Sequence, residues 1–229
     1  MQQMALGMWL RESATFDNYV AAENALAIDA IRQACNGESE RFIYLWGAEG
    51  VGKSHLMQAA CHALSARGER SVYLPLDEPG LAPEMLEGLE QIALVAVDNL
   101  DAIAGLPEWE TALFHLYNRM RDQEQGVLLF ASTQPLASLA IGLSDLQSRL
   151  AWGLVFQLRA LGDDEKLAAL QQRADQRGFE LSDEVGRYLL HHYPRDMTAL
   201  FELLATLDRR SLAEQRRLTI PFVKETVGS

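Results

Sequence analysis

The sequence predicts an α/β fold built on a five-stranded parallel sheet, followed by a small all-helical domain. Three observations carry that expectation. Strand-like and helix-like segments alternate from about residue 40 to Leu158, and only helical segments follow Gly162. Alternation that gives way to helices alone marks an α/β domain followed by a helical one. The run Ile92-Ala93-Leu94-Val95-Ala96-Val97 is apolar throughout and closes on Asp98, as suits a central strand covered on both faces. Between an apolar run and a helical one lies Gly47-Ala48-Glu49-Gly50-Val51-Gly52-Lys53-Ser54, which has the form G-x-x-x-x-G-K-[ST] of a P-loop.

That motif needs a strand before it and a helix after it. Arg41 to Trp46 is β-prone, and His55 to Leu64 reads as a helix with Leu56, Ala60 and Ala63 on one face. The glycines let backbone N–H groups turn inward as an anion nest, and the helix N-terminus adds partial positive charge. Lys53 would reach the β- and γ-phosphates of a nucleotide, and the Ser54 hydroxyl would hold Mg²⁺. Asp98, at the carboxyl end of its strand, is placed to be the second Mg²⁺ ligand.

The remaining elements follow in order. Thr15-Phe16-Asp17-Asn18-Tyr19-Val20 contains turn formers. Glu23 to Cys35 reads as a helix with Leu26, Ala27, Ile31, Ala34 and Cys35 at helical spacing, closed by Asn36-Gly37. Ser71 to Leu76 is a strand, and Pro83 to Leu89 a short helix. Trp109 to Gln123 is a long helix with Leu113, Leu116, Tyr117 and Met120 inward. Gly126 to Thr133 is a strand that ends in hydroxyls. Ser144 to Leu150 is a short capped helix, and Gly153 to Leu158 is the fifth strand. Helices are then expected over Asp163 to Arg177, Ser182 to His192 and Asp196 to about Gln215. The expected domains are 1–12, a flexible N-terminal peptide; 13–161, the α/β domain; and 162–229, the helical one.

Composition bounds the function. The 229 residues are 48% hydrophobic and 23% charged, an ordinary globular balance. Formal net charge is −12, from 20 basic and 32 acidic residues. That argues against sequence-independent binding along DNA, which draws on clustered Lys and Arg. Arg209-Arg210 and Arg216-Arg217 are the only basic pairs and are read as a solvated helix face. Cys35 and Cys61 form no C-x-x-C pattern and read as small core residues in a reducing compartment. No apolar run has the length of a membrane span, and the N-terminus lacks the basic region of a signal peptide, so a cytoplasmic location is expected. Met4, Leu6, Met8, Trp9 and Leu10 are unusually apolar for a tail. They suit either a partner-binding peptide or packing against the chain's own domain.

P-loop, terminal Asp98 and a trailing helical domain together resemble the AAA+ ATPases. Three stretches are similar to the branch of the bacterial replication initiator DnaA. Thr15-Phe16-Asp17-Asn18-Tyr19 resembles the element that lies against the adenine. Phe114-His115-Leu116-Tyr117-Asn118 resembles the helix after the Walker B strand. Ser148-Arg149-Leu150-Ala151-Trp152-Gly153-Leu154 resembles the arginine-finger box. The resemblance runs from about residue 14 to about residue 220. The chain ends soon after the helical domain, with nothing expected to supply the initiator's DNA-binding domain, as in the Hda-type regulators of that family. There the N-terminus carries a sliding-clamp-binding peptide. Gln3-Met4-Ala5-Leu6-Gly7-Met8 is similar to it, with Gln3 at the first position and Met4, Leu6 and Met8 at the apolar ones.

The resemblance implies a set of roles. Gly47, Glu49, Gly50, Val51, Gly52, Lys53, Ser54, His55 and Asp98 would hold ADP or ATP with Mg²⁺. Phe16, Asn18 and Tyr19 would frame the base. Thr133, beside Ser132, takes the sensor 1 position, and Arg195 or Thr198 the sensor 2 position. Arg149 would be a finger acting in trans on a neighbour's nucleotide, an arrangement compatible with a homodimer. Asn99 departs from the acid that usually follows the Walker B aspartate, and a neutral amide cannot act as a general base. Asp101 is expected to leave on a different heading. The implied function is negative regulation of replication initiation: with the DNA-loaded polymerase sliding clamp, the chain stimulates hydrolysis of ATP bound to DnaA. The partners are then DnaA and the clamp, with no membrane and no sequence-specific DNA contact. The alternative is an active DNA-associated ATPase of helicase or clamp-loader type. Asn99, the acidic balance and the missing DNA-binding domain count against it.

Overall fold

Five strands pair in parallel in the order β2-β3-β4-β1-β5. They are β1 (Phe42–Trp46), β2 (Ser71–Pro75), β3 (Leu94–Asp98), β4 (Val127–Ser132) and β5 (Leu154–Gln157). The computed structural model describes residues 14–194 and 197–228, without the side chains of Asn18 and Thr198. These residues form two compact units that divide between Arg159 and Ala160.

In the first unit, strand side chains alternate between the two faces of the sheet, as the pleat requires. One face presents Ile43, Leu45, Tyr73, Leu94, Ala96, Leu129 and Ala131 to α1 (Ala25–Cys35) and α2 (Lys53–Ser65). The other presents Tyr44, Val72, Leu74, Val95, Val97, Leu128 and Phe130 to α3 (Pro107–Asp122) and α4 (Ser144–Leu150). Each such side chain contributes about 1.5–3 kcal/mol when fully buried. β3 and β4 are buried along their whole length, which explains their unbroken apolar runs. β5, an edge strand, alternates between half-buried and exposed residues.

Several expectations need correction. The α-helix of residues 23–35 begins at Ala25, after a 3₁₀ turn at Ala22–Asn24. Its inward stripe is Ala27, Ile28, Ala30, Ile31 and Ala34, and Leu26 is 75% exposed. Leu26 precedes Ala27 by one residue, about 100° around the helix, which takes it off the stripe. Residues 83–91 form two 3₁₀ turns, Pro83–Leu86 and Leu89–Gln91, and no α-helix, because Gly88 between them has φ +77°. α4 has no side-chain cap. Its entry is held by the buried Glu110, whose carboxylate accepts from the N–H groups of Gly105, Gly142 and Leu143.

The second unit contains α5 (Asp163–Gln176), α6 (Asp183–His192), α7 (Met197–Glu214) and α8 (Ile220–Val227). Leu167, Leu170, Val185, Leu189, Leu200, Leu204 and Phe222 fill its core. The Ser182 hydroxyl caps α6 by accepting from the Val185 N–H, as its position in the sequence suggests. α8 lies beyond the last expected helix. Its signals were Thr219, which accepts from the Phe222 N–H, and Pro221 in the first turn. Arg210 and Arg216 form ion pairs with Glu214 and Glu225. Among the described residues, no helix is long and apolar enough to cross a membrane. Cys61 is buried and Cys35 half-buried, and burial pushes their thiols up to about 12 and about 11.

Candidate functional site

The loop between β1 and α2 depends on glycine at both ends. Gly47 has φ +154°, and a Cβ there would lie 2.5 Å from the Leu158 carbonyl oxygen. Gly52 has φ +97°, and a Cβ there would lie 2.5 Å from Cε2 of Tyr19. Gly50, with φ +75°, forms the exposed tip together with Glu49. Lys53 opens α2 and is buried, and its Nζ donates to the carbonyls of Gly47 at 2.7 Å and Ala48 at 2.9 Å. Burial pulls the Lys53 pKa below its ordinary value, while the carboxylates of Asp98, Asp101 and Glu49 act in the opposite direction.

Tyr19 packs over this loop from the chain before α1. Its hydroxyl donates to the Val51 carbonyl at 3.0 Å, and its ring meets His55 edge-on, centroids 5.6 Å apart. Nε2 of His55 lies 2.9 Å from the Thr15 carbonyl oxygen. Phe16 is half-buried under the Arg32 guanidinium. Asn24, which the sequence did not single out, clips these pieces together. Its side chain donates to the Tyr19 hydroxyl and the Arg159 carbonyl and accepts from the Arg159 N–H.

Asp98 is fully buried at the end of β3. Its Oδ1 accepts from the Asn99 N–H at 2.9 Å, and its Oδ2 accepts from the Tyr73 hydroxyl at 2.6 Å. Asn99 has φ +55°, and its amide donates to the Asp77 carboxylate. Asp101 turns toward the end of β4. It accepts from the Ser132 hydroxyl at 2.6 Å, the Thr133 hydroxyl at 2.8 Å and the Thr133 N–H. Burial acts to raise its pKa, but these hydrogen bonds outweigh it and hold the carboxyl below the ordinary range. The resemblance assigns Thr133 the sensor 1 position; its link to Asp101 spans 32 residues and had no local signal.

The donor set suits Mg²⁺. The Ser54 hydroxyl and the Asp98 carboxylate are hard oxygen ligands. Among the described residues, no cluster of three or more His, Cys, Asp or Glu is placed to hold a metal ion by itself. Such an ion would depend on nucleotide phosphates for its remaining ligands, which is how magnesium is commonly held.

Arg149 stands elsewhere. It lies in the last turn of α4, where the chain swings into β5 at the amino end of the sheet. Gly153 in that swing is pressed against β1, and a Cβ there would overlap the Phe42 carbonyl. Phe42 begins β1, and the P-loop follows its other end, about 13 Å away at ~3.3 Å per residue. The Arg149 guanidinium sits 4.2 Å from the ring centre of Trp152, and that of Arg121 sits 5.6 Å from the same ring. Trp152 is 63% exposed and borders an open pocket with Glu40, Arg41, Tyr117 and Arg121. Among the described residues Arg149 has no ion pair. Gln3, Met4, Leu6, Met8 and Arg195 lie outside the described residues, as do the side chains of Asn18 and Thr198.

A glycine-built loop between β1 and α2, a buried acid closing β3, the strand order 2-3-4-1-5 and a separate helical unit define a P-loop protein of the AAA+ class. The family profile for the bacterial DnaA ATPase domain matches residues 10–79, and that for the Hda lid domain matches residues 163–227. The chain is a DnaA-related AAA+ protein of the Hda type. Among solved structures it is similar to domain III of the Thermotoga maritima replication initiation protein DnaA. There the TM-score is 0.78 at 18% identity, covering 96% of this chain and 97% of that one. AMPPCP-bound DnaA from Aquifex aeolicus gives 0.73 at 24% identity, covering 90% and 70%. Thermotoga maritima RuvB gives 0.66 at 16%, covering 91% and 67%. At these identities the likeness speaks for the fold.

Proposed function

We propose that this chain is a nucleotide-bound negative regulator of replication initiation, which stimulates hydrolysis of ATP held by DnaA at the DNA-loaded sliding clamp. One observation carries the proposal: Arg149 lies at the opposite end of the sheet from its own Lys53. A finger placed there serves nucleotide held by another chain, and family membership points to DnaA as that chain. Guanidinium stabilises charge on a transferring phosphoryl group.

In this reading residues 13–161 hold ADP or ATP. The loop amides and Lys53 take the phosphates, whose oxygens replace the Gly47 and Ala48 carbonyls as acceptors for Nζ. Phe16, Asn18 and Tyr19 would frame the base, with His55 also at the nucleotide. Thr133 senses the γ-phosphate end. Mg²⁺ on Ser54 and Asp98 would neutralise phosphate charge. Intrinsic hydrolysis is weak, because Asn99 offers only an amide and Asp101 is committed to Ser132 and Thr133. Residues 1–12 dock on the clamp through Gln3, Met4, Leu6 and Met8, a part of the proposal that rests on their pattern alone.

The test is turnover of ATP prebound to DnaA on clamp-loaded DNA. Wild type should accelerate it only when the clamp is present. Arg149→Ala should keep nucleotide and clamp binding yet lose about 10³-fold or more of the stimulation. Equal stimulation by the variant would sink the finger assignment. Turnover near ~1 s⁻¹ by the purified chain alone would favour the active DNA-associated ATPase instead.

A further inference from the structure

We infer that Tyr73 is a positioning residue that fixes Asp98, the buried carboxylate offered to the magnesium ion of a bound nucleotide. The inference rests on the nucleotide reading of the P-loop and adds to it a residue that no motif contains.

Tyr73 stands on β2 in register with Ala96 of β3, and both face α2. The small Ala96 leaves room for the phenol to run along the sheet toward the end of β3. Its hydroxyl reaches Oδ2 of Asp98 at 2.6 Å, across 25 residues of sequence. Tyr73 is buried, so its hydroxyl has no water to bond with in place of the carboxylate. The phenol O–H donates to the carboxylate, which can only accept.

Asp98 is thus held from both sides, by the Asn99 N–H on Oδ1 and by Tyr73 on Oδ2. A fully buried carboxylate with its oxygens fixed cannot rotate away from the cleft. Partners that fix a ligating group are worth roughly 10–100-fold in metal affinity. One phenolic oxygen on β2 therefore fixes the orientation of the Walker B acid on β3. It sets how much magnesium adds to nucleotide affinity.

The experiment uses the full chain and a fluorescent ADP, titrated once in Mg²⁺ and once in EDTA, for wild type and for Tyr73→Phe. Phenylalanine keeps the ring and removes only the oxygen. Wild type should bind more tightly in Mg²⁺. In Tyr73→Phe the Mg²⁺ enhancement should fall by about 10–100-fold, or vanish if it is smaller than that, while the EDTA affinity holds within about threefold. An equal loss in both buffers would mean that Tyr73 only supports the fold, and would overturn the inference. An unchanged or enlarged Mg²⁺ enhancement would overturn it too. If wild type binds no nucleotide in either buffer, the P-loop reading fails and takes this inference with it, an outcome distinct from the others.

Discussion

At the carboxyl end of the sheet, Lys53, Asp98 and Asp101 are each turned onto neighbours in their own chain, whereas at the amino end Arg149 rests against an exposed indole. The first end is fixed by buried and part-buried hydrogen bonds to charged groups, each worth about 1.5–3 kcal/mol. The second is fixed by a cation–π contact at the surface, worth about 0.5–1 kcal/mol. Buried charge has to be satisfied within the chain, because leaving it unpaired is costly. A half-buried guanidinium against an exposed indole bears less of that cost. Under the proposed function, the first end is completed by a nucleotide and the second by a partner macromolecule.

Three substitutions test that contrast. The largest effect should come from Lys53→Ala, which removes the ammonium from the cradle. Nucleotide affinity, read by fluorescence titration, should fall about 10- to 100-fold, while the Arg149 end keeps its fold by circular dichroism. Gly153→Ala addresses the amino end through its backbone. The added methyl overlaps the Phe42 carbonyl, which belongs to a strand paired with β4 and cannot easily yield. Urea denaturation should show a loss of about 1–3 kcal/mol; an unchanged midpoint would mean that β5 can shift freely. The smallest effect is expected from Trp152→Leu. Removing the ring should lower DnaA stimulation about 2- to 5-fold, in line with the lost cation–π energy, and leave nucleotide affinity alone. A loss as large as that of Arg149→Ala would show that the indole itself makes the partner contact.

Much of the scaffold can be read from local pattern. β3 and β4 are legible because burial on both faces imposes unbroken apolar runs, and the P-loop because its glycines occupy backbone conformations that other residues resist. The same logic misplaces Leu26, since a helical stripe of small residues can rotate by one position without changing its period. It also misses α8, whose apolar face is only two turns long. The candidate site is half legible. Lys53, Ser54 and Asp98 announce themselves by motif. Tyr73, Asn24 and the turn of Asp101 toward Thr133 do not, because each depends on a partner 25 to 135 residues away that nothing in the local sequence specifies.

The strand order has a consequence during synthesis. β1 finds its neighbours only in β4 and β5. β4 begins at Val127, about 80 residues after β1 ends at Trp46. At ~5–20 residues per second, a chain leaving the ribosome holds the strand that bears the phosphate cradle unpaired for roughly 4–16 s. β2 and β3 can meet well before that. The strand that carries the most recognisable motif in the sequence is thus among the last to be secured, and its apolar residues need shelter in the interval.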